Sequence, residues 1–254
     1  MSYLLVGSII SLVLFMFFKA HHDILDYRSI VDHRLPEPFD NYSIFYISDI
    51  HRRRIKPKTI KTISNNINIV IIGGDLTEKG VPFERIRQNL RMLKHFRVPI
   101  YFVWGNNDYE VNSEKLDQLL QEEEIIILRD SYINITQNKS TLSLIGFDYH
   151  ENEEDYGKLH WSQINGDYRL LLTHVPDVFY ELDLHIQKSI HTVLSGHTHG
   201  GQIRIFGIGF YQRGGLHVFK QTNIFISEGY GYTFLPLRLQ TNAECHILTF
   251  KKSK

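Results

Sequence analysis

From Tyr42 onward, short apolar runs alternate with segments of helical period, and polar residues gather where each run stops. Tyr42–Ile47, 67–72, 100–104, 142–147, 169–172 and 192–194 are rich in Ile, Val, Leu, Phe and Tyr. They are too short for independent helices and read as buried strands. Between the early runs, 57–65, 82–96 and 113–122 predict helices. Pro57 and Pro82 suit a first helical turn, where no N–H is needed. Phe83, Ile86, Leu90, Leu93 and Phe96 recur at spacings of three and four, which makes one apolar face. Ser113 predicts a partial N-cap, since Leu116 stands where a capping box wants Glu or Gln. Nearer the C-terminus, 203–210, 216–219, 224–227 and 245–250 predict strands separated by Gly-rich turns. Alternating βα units followed by a strand-rich end predict a mixed α/β sandwich.

The N-terminus follows a different pattern. Residues 3–18 are uncharged and almost wholly apolar. As a helix they span about 24 Å against a bilayer core of about 30 Å, a mismatch that local thinning, the interfacial Tyr3 and a snorkelling Lys19 can absorb. A cleaved signal peptide fits less well: no Lys or Arg precedes the run and no small-x-small site follows it. The expectation is a single-pass anchor over 1–20, a linker or arm over 21–41 ending in Pro36-Glu37-Pro38, and a catalytic domain over 42–254. Lys19, Arg28 and Arg34 follow the span and no cation precedes it, so the positive-inside rule puts the domain on the cytoplasmic face of the cell membrane.

Composition narrows the partners. In 254 residues, 28 basic side chains balance 28 acidic ones, and a chain with no net charge is a poor partner for nucleic acid. The single Cys245 excludes an intrachain disulfide and any Cys-based zinc site. Fourteen histidines is a high count. Four of them lie in polar motifs at the ends of the apolar runs. The motifs are Ser48-Asp49-Ile50-His51, Gly73-Gly74-Asp75, Gly105-Asn106-Asn107-Asp108, Thr173-His174 and Ser195-Gly196-His197-Thr198-His199-Gly200. Any one of them alone is weak: Gly-Asp is usually a turn and a lone His is usually hydrogen-bonded core. All five in order, each behind a strand, would converge on one edge of an α/β fold. Imidazole with carboxylate suits zinc, iron or manganese. The residues read as a metal-dependent hydrolase.

The set Asp-x-His, Gly-Asp, Gly-Asn-x-Asp, His and Gly-His-Thr-His resembles the calcineurin-like metallophosphoesterases over about residues 42 to 250. The likeness is strongest to a bacterial membrane-anchored branch with Gly-His-Thr-His-Gly-Gly-Gln-Ile, here Gly196 to Ile203, and a late Gly229-Tyr230-Gly231 and Leu235 to Arg238. The resemblance implies a two-sheet mixed β sandwich flanked by helices and two divalent ions, manganese first with iron or zinc as alternatives. It places Asp49, His51 and His199 on one ion and Asn106, His174 and His197 on the other, with Asp75 bridging. Asp75, Asn106 and His197 are the residues expected to be catalytic. A shared carboxylate keeps two ions about 3.5–4 Å apart, and two carboxylates leave positive charge to attract phosphate. The implied reaction is in-line attack of a metal-bound hydroxide on a phosphate ester or pyrophosphate bond.

The chain departs from the family's pattern at Asn107, where many members have His. Asn can donate hydrogen bonds but is no general acid near neutral pH. Either the leaving group needs no proton, as with a nucleotide or phosphate, or another group such as His150 supplies it, or activity is poor. Asn107, Arg52, Arg53 and Arg238 are candidate substrate contacts, the arginines because their forks match phosphate. The aromatic stretches 206–210 and 230–237 read as core packing between late strands, ahead of a lid, a membrane contact or a lipid-chain site. The expected substrate is phosphorylated and membrane-associated or nucleotide-linked. The rival class is a non-catalytic metal-binding membrane scaffold.

Overall fold

Each apolar run finds an apolar layer on both of its faces, which is why runs without alternation become strands. The computed structural model describes residues 2–64, 66–150 and 159–253. Two six-stranded sheets pack face to face. The first contains β1 (Asp23–Val31), β2 (Tyr42–Ile47), β3 (Ile69–Gly73), β4 (Ile100–Val103), β5 (Ile126–Ile127) and β12 (Ala243–Lys251), in the order β1-β12-β2-β3-β4-β5. The second contains β6 (Ser131–Gln137), β7 (Ser140–Gly146), β8 (Tyr168–Leu172), β9 (Thr192–Ser195), β10 (Gly215–Phe219) and β11 (Thr222–Ile226), in the order β10-β11-β9-β8-β7-β6. Strands β2 to β5 are parallel, and so are β7, β8, β9 and β11.

Alternation assigns the layers. Ile44 and Tyr46 enter the space between the sheets with Leu144, Leu170, Leu172 and Phe225. Phe45 and Ile47, one residue out of phase, join the outer layer under α2 (Pro57–Lys61), α3 (Phe83–Leu93) and α4 (Ser113–Glu122). Ile145, Leu171 and Val193 do the same beneath α5 (Val178–Glu181) and α6 (Leu184–Ser189). The result is the expected two-sheet mixed sandwich with helices outside. Truncating a side chain of the inner layer, such as Leu170→Ala, costs about 2–5 kcal/mol through lost burial and the cavity left behind.

Several elements differ from their sequence reading. The stretch 21–41, read as a linker or arm, contains β1, which pairs in parallel with β12 from Asp23↔Ala243 to Val31↔Lys251. Polar links fix it: Asp26 bonds His246 Nδ1 at 3.1 Å, and His246 Nε2 meets Ser227 Oγ at 2.8 Å across the sandwich. The stretch 203–210 is not a strand. It forms a tight turn closed by a bridge between Ile205 and Ile208, because Gly207 and Phe206 both take positive φ there. Helix α2 ends at Lys61, and Asn65, the last residue of its expected range, lies outside the described residues. The cap of α4 is Asn112, whose Oδ1 accepts from Lys115 N–H at 2.8 Å, and Ser113 is the first helical residue.

At the N-terminus α1 (Ser2–His21) is 20 residues long, about 30 Å at the helical rise. It is long and apolar enough to cross a membrane. Its C-terminal turns lean on the domain: Met16 and Ala20 are buried, Arg238 N–H donates to the Met16 carbonyl at 3.1 Å, and Lys19 Nζ reaches Asn242 Oδ1 at 2.9 Å.

Candidate metal centre

Parallel strands present the loops after their C-terminal ends to one edge, and the five motifs occupy those loops. Asp49 and His51 follow β2, Asp75 follows β3, Asn106 follows β4, His174 follows β8, and His197 and His199 follow β9. The loops are stitched together. Asp49 N–H donates to the Gly74 carbonyl at 3.0 Å, Gly196 N–H to that of His174 at 3.0 Å, and His197 N–H to the Asp49 carboxylate at 3.0 Å. Asp49, His51, Asp75, His197 and His199 all have φ between 50° and 68°. Such conformations cost of order 1–3 kcal/mol each for residues other than Gly and gather at functional sites. Gly74, at φ 86°, is required as glycine, since a Cβ there would collide with the His174 ring.

Two groups of side chains result. Asp49, His51 and His199 bring ligand atoms together in one, and Asp75, His174 and His197 in the other, each within 4.8 Å. In the first, His51 Nε2 lies 3.1 Å from His199 Nε2, and His199 Nε2 lies 3.4 Å from Asp49 Oδ1. In the second, His174 Nε2 lies 3.1 Å from Asp75 Oδ2, and His197 Nδ1 lies 3.0 Å from Asn106 Oδ1. Asp75 Oδ2 is also 3.7 Å from His51 Nε2, so this one carboxylate faces both groups. Buried His174 Nε2 faces the Asp75 carboxylate, and its Nδ1 is 2.9 Å from the Gly73 carbonyl. A carbonyl only accepts, so Nδ1 carries the proton and the Nε2 lone pair is aimed into the centre. Converging imidazole and carboxylate groups, with one carboxylate facing both sets, fit two divalent ions.

Electrostatics separates the imidazoles. Burial disfavours the charged form of all four. In His174 the Asp75 and Asp49 carboxylates override burial and push it up to about 10. His51 is likewise raised against burial, by Glu78 and then by Asp75 and Asp49. His197 and His199 are lowered by burial and by neighbouring cations, His174 for the first and His51 and Arg238 for the second. The carboxylates thus favour positive charge at the centre.

A profile of the calcineurin-like phosphoesterases matches residues 42–201, which include all five polar motifs that carry the candidate ligands. The chain belongs to that family. An uncharacterised Bacillus subtilis protein, YpbG, is 42% identical over 213 residues, 82% of this chain and 80% of its own. A zebrafish (Danio rerio) transmembrane protein with a metallophosphoesterase domain is 29% identical over 87% of this chain and 55% of its own. Among solved structures, the phosphopantetheinyl hydrolase of Mycobacterium tuberculosis shares the fold. It has a TM-score of 0.53 at 12% identity, over 76% of this chain and 91% of that one.

The cleft of this phosphoesterase has a volume of about 740 Å³, with Asp75, Asn106, His197 and His199 on its floor. Arg52 and Asn107, both expected to meet substrate, line it. Arg53 and Arg238 do not act as expected. Arg53 is buried, ion-paired with Asp23, and donates to the Tyr230 carbonyl at 2.6 Å while lying 4.2 Å over the Tyr230 ring. Arg238 is fully buried. Its guanidinium donates to the carbonyls of Glu228, Gly229 and Gly231 and lies 3.0 Å from His199 Nδ1. Both hold the loop that carries Gly229 to Gly231 rather than facing solvent. His150 pairs with Asp130 at 2.7 Å, and the described cleft lining does not include it.

Two acidic residues were not assigned from sequence. Glu78 Oε2 lies 3.0 Å from His51 Nδ1 and also pairs with Arg52, so it orients a candidate ligand from behind. Its position three residues after Asp75 was the available signal. Asp108 accepts from Gly105 N–H at 2.9 Å and Thr77 N–H at 3.0 Å, which fixes the loop that presents Asn106. Burial and the Asp75 charge raise its carboxyl.

Proposed function

We propose that the chain is a two-metal phosphoesterase that hydrolyses a phosphate ester or pyrophosphate bond. It is held by α1 in the cell membrane with its domain on the cytoplasmic side. The carrying observation is the pair of ligand groups with Asp75 facing both. When bound, two divalent ions, manganese in the first instance, supply Lewis-acid activation of water and neutralise charge on phosphate.

The chain's own groups prepare that site. Gly73 sets the tautomer of His174 through its carbonyl, and Glu78 orients His51. Asn107 N–H donates to Asp75 Oδ1 at 2.8 Å, which fixes the carboxylate shared by the two groups. Asn107 Oδ1 accepts from Asn106 Nδ2 at 2.9 Å, so Asn106 turns its oxygen toward His197. The Asn107 side-chain hydrogens have no partner among the described residues and are available to a phosphoryl oxygen. Arg52, at the rim, offers charge to the same oxygens. No histidine outside the ligand groups is in the described lining. This favours leaving groups that need no proton, such as a phosphate or a nucleotide.

Asp75→Asn in manganese-loaded full-length chain tests the reading. Turnover of an aryl phosphate ester should fall by about 10²–10³-fold, the scale of losing one electrostatic contact to a transition state. Unchanged turnover would remove Asp75 from the reaction. The rival scaffold reading draws on Asn107 and expects no turnover by the unsubstituted chain under any metal.

A further inference from the structure

Two turns beside the cleft expose aromatic rings in a conformation that large side chains avoid. Phe206 and Phe234 both have positive φ, 51° and 54°, and are 92% and 95% exposed. Phe210 is 98% exposed, and Ile208 and Leu235 are exposed with them. A bulky residue in the left-handed region is an outlier, and its exposed ring gains nothing from burial to offset that. Core packing, the expectation from sequence for both stretches, holds for Tyr230, which is fully buried, but is not what these exposed side chains do. Nor are the turns loose. Arg204 Nε and Nη2 donate to the Gly207 carbonyl at 3.1 and 2.6 Å, and Gly207 N–H donates to Gln240 Oε1 at 2.8 Å. Gln202 holds the other turn: its Nε2 donates to the carbonyls of Thr233 and Leu235, and its Oε1 accepts from Thr233 N–H at 2.8 Å. Both rings are presented on braced backbone.

The place of the Phe234 turn relative to α1 indicates what covers it, and the Gly207–Gln240 bond ties the Phe206 turn to the same stretch of chain. The segment behind the turns touches α1 at Met16, through Arg238 N–H, and at His21, whose ring lies 5.4 Å from that of Tyr232. The apolar run of α1 ends at Phe18, so Met16 is about 3 Å inside that end at the helical rise. If α1 crosses a bilayer, the segment 232–238 lies at the headgroup boundary. Exposed aromatic and aliphatic side chains at that depth are in the environment that favours them. Phe210, Tyr211, Thr233 and Phe234 are also one wall of the cleft.

We propose that the turns at Phe206 and Phe234 insert into the lipid bilayer beside α1, so that the cleft opens at the membrane surface and takes phosphate esters of lipids from it. The insertion rests on α1 being a membrane span and not on catalysis, whereas the lipid substrate rests on the phosphoesterase reading proposed above. The test places single tryptophans in the full chain after Trp104 and Trp161 are both replaced by Phe, reconstituted in phosphatidylcholine–phosphatidylglycerol vesicles with brominated phosphatidylcholine acyl chains. Phe206→Trp and Leu235→Trp should emit at blue-shifted wavelength and be quenched by the bromines, as should Leu14→Trp within α1. Val218→Trp, on β10, should not be quenched.

Quenching of Leu14→Trp without quenching of Phe206→Trp or Leu235→Trp would overturn the insertion. Failure of all three would overturn the membrane placement itself. Neither result depends on turnover, so the hydrolase reading stands or falls separately. Phe206→Ser with Ile208→Ser completes the test. It should lower hydrolysis of a lipid phosphate monoester in vesicles about tenfold or more and leave hydrolysis of a soluble aryl phosphate unchanged. Equal loss on both substrates would contradict a membrane role.

Discussion

Glu78 touches no expected ion, yet its carboxylate decides which nitrogen of His51 is free. Glu78→Gln should lower divalent-ion affinity about 10–100-fold while leaving the fold intact, which metal titration beside a circular-dichroism spectrum would reveal. Unchanged affinity would make Glu78 a partner of Arg52 alone. His174, raised to about 10, carries a second ring proton, on Nε2, in the metal-free chain at neutral pH. Its folded pKa lies above the usual imidazole value, so from about pH 7 to 9 an arriving ion must displace that proton. Loading at about pH 8 in weak buffer should release at least about one proton per chain. Silence on a pH electrode would contradict the ligand role. Asn107→His should speed hydrolysis of esters with poor leaving groups by about 10²-fold or more relative to activated ones. Equal effects on both would show that leaving-group protonation is not what Asn107 lacks. The metal-type side chains are legible in the sequence because their chemistry is intrinsic to Asp, His and Asn at strand ends. Arg53 and Arg238 are not, because what occupies a guanidinium is tertiary: Asp23 on β1 for one, a ring of carbonyls for the other.

At the scale of elements, β1 is the piece that sequence hid. Asp23–Val31 has two acids and an arginine among its residues and is largely half-buried or exposed, so no clean alternation marks it. Its pairing partner β12 lies at the far end of the chain. By contrast β2, β3, β4 and α3 announce themselves by continuous apolar runs or a single apolar face. The stretch 203–210 misled in the other direction, since apolar residues there face outward. The buried Asp23–Arg53 pair pins β1 to the loop after β2. Arg53→Ala leaves the buried Asp23 with half-exposed Lys56, at 3.1 Å, as its remaining ion-pair partner and should cost up to about 3–5 kcal/mol, or roughly 10 °C in melting temperature. Burial pushes the Asp23 carboxyl up, but Arg53 and the hydroxyls of Thr59 and Tyr230 hold it below its ordinary 3.8. This contribution is present above about pH 4 and is lost as pH falls through the lowered value. The Arg53→Ala deficit should therefore be largest at neutral pH and shrink in acid, as urea denaturation at neutral pH and at about pH 3 would show. A deficit independent of pH would assign the loss to Tyr230 packing instead.

Across the whole molecule, two sheets from distant parts of the chain deliver one site, and that convergence was legible because every motif trailed a strand. The mouth of the cleft was not. Whether an aromatic turn packs, closes or projects depends on neighbours such as Gln202, Arg204 and α1 that no local pattern reveals. Bound ions should bind the native state and not the unfolded chain. Metal at a hundred times its dissociation constant should add about 2.7 kcal/mol of stability, removed again by a chelator. The most direct test of the two-metal account is a stoichiometric titration. Chelated full-length chain in detergent receives manganese in steps while bound metal and initial rate on an aryl phosphate ester are measured together. The account predicts little turnover at one bound ion per chain and a steep rise as the second binds, absent in Asp75→Asn. Full activity with one ion, or two bound ions and no turnover, would contradict it.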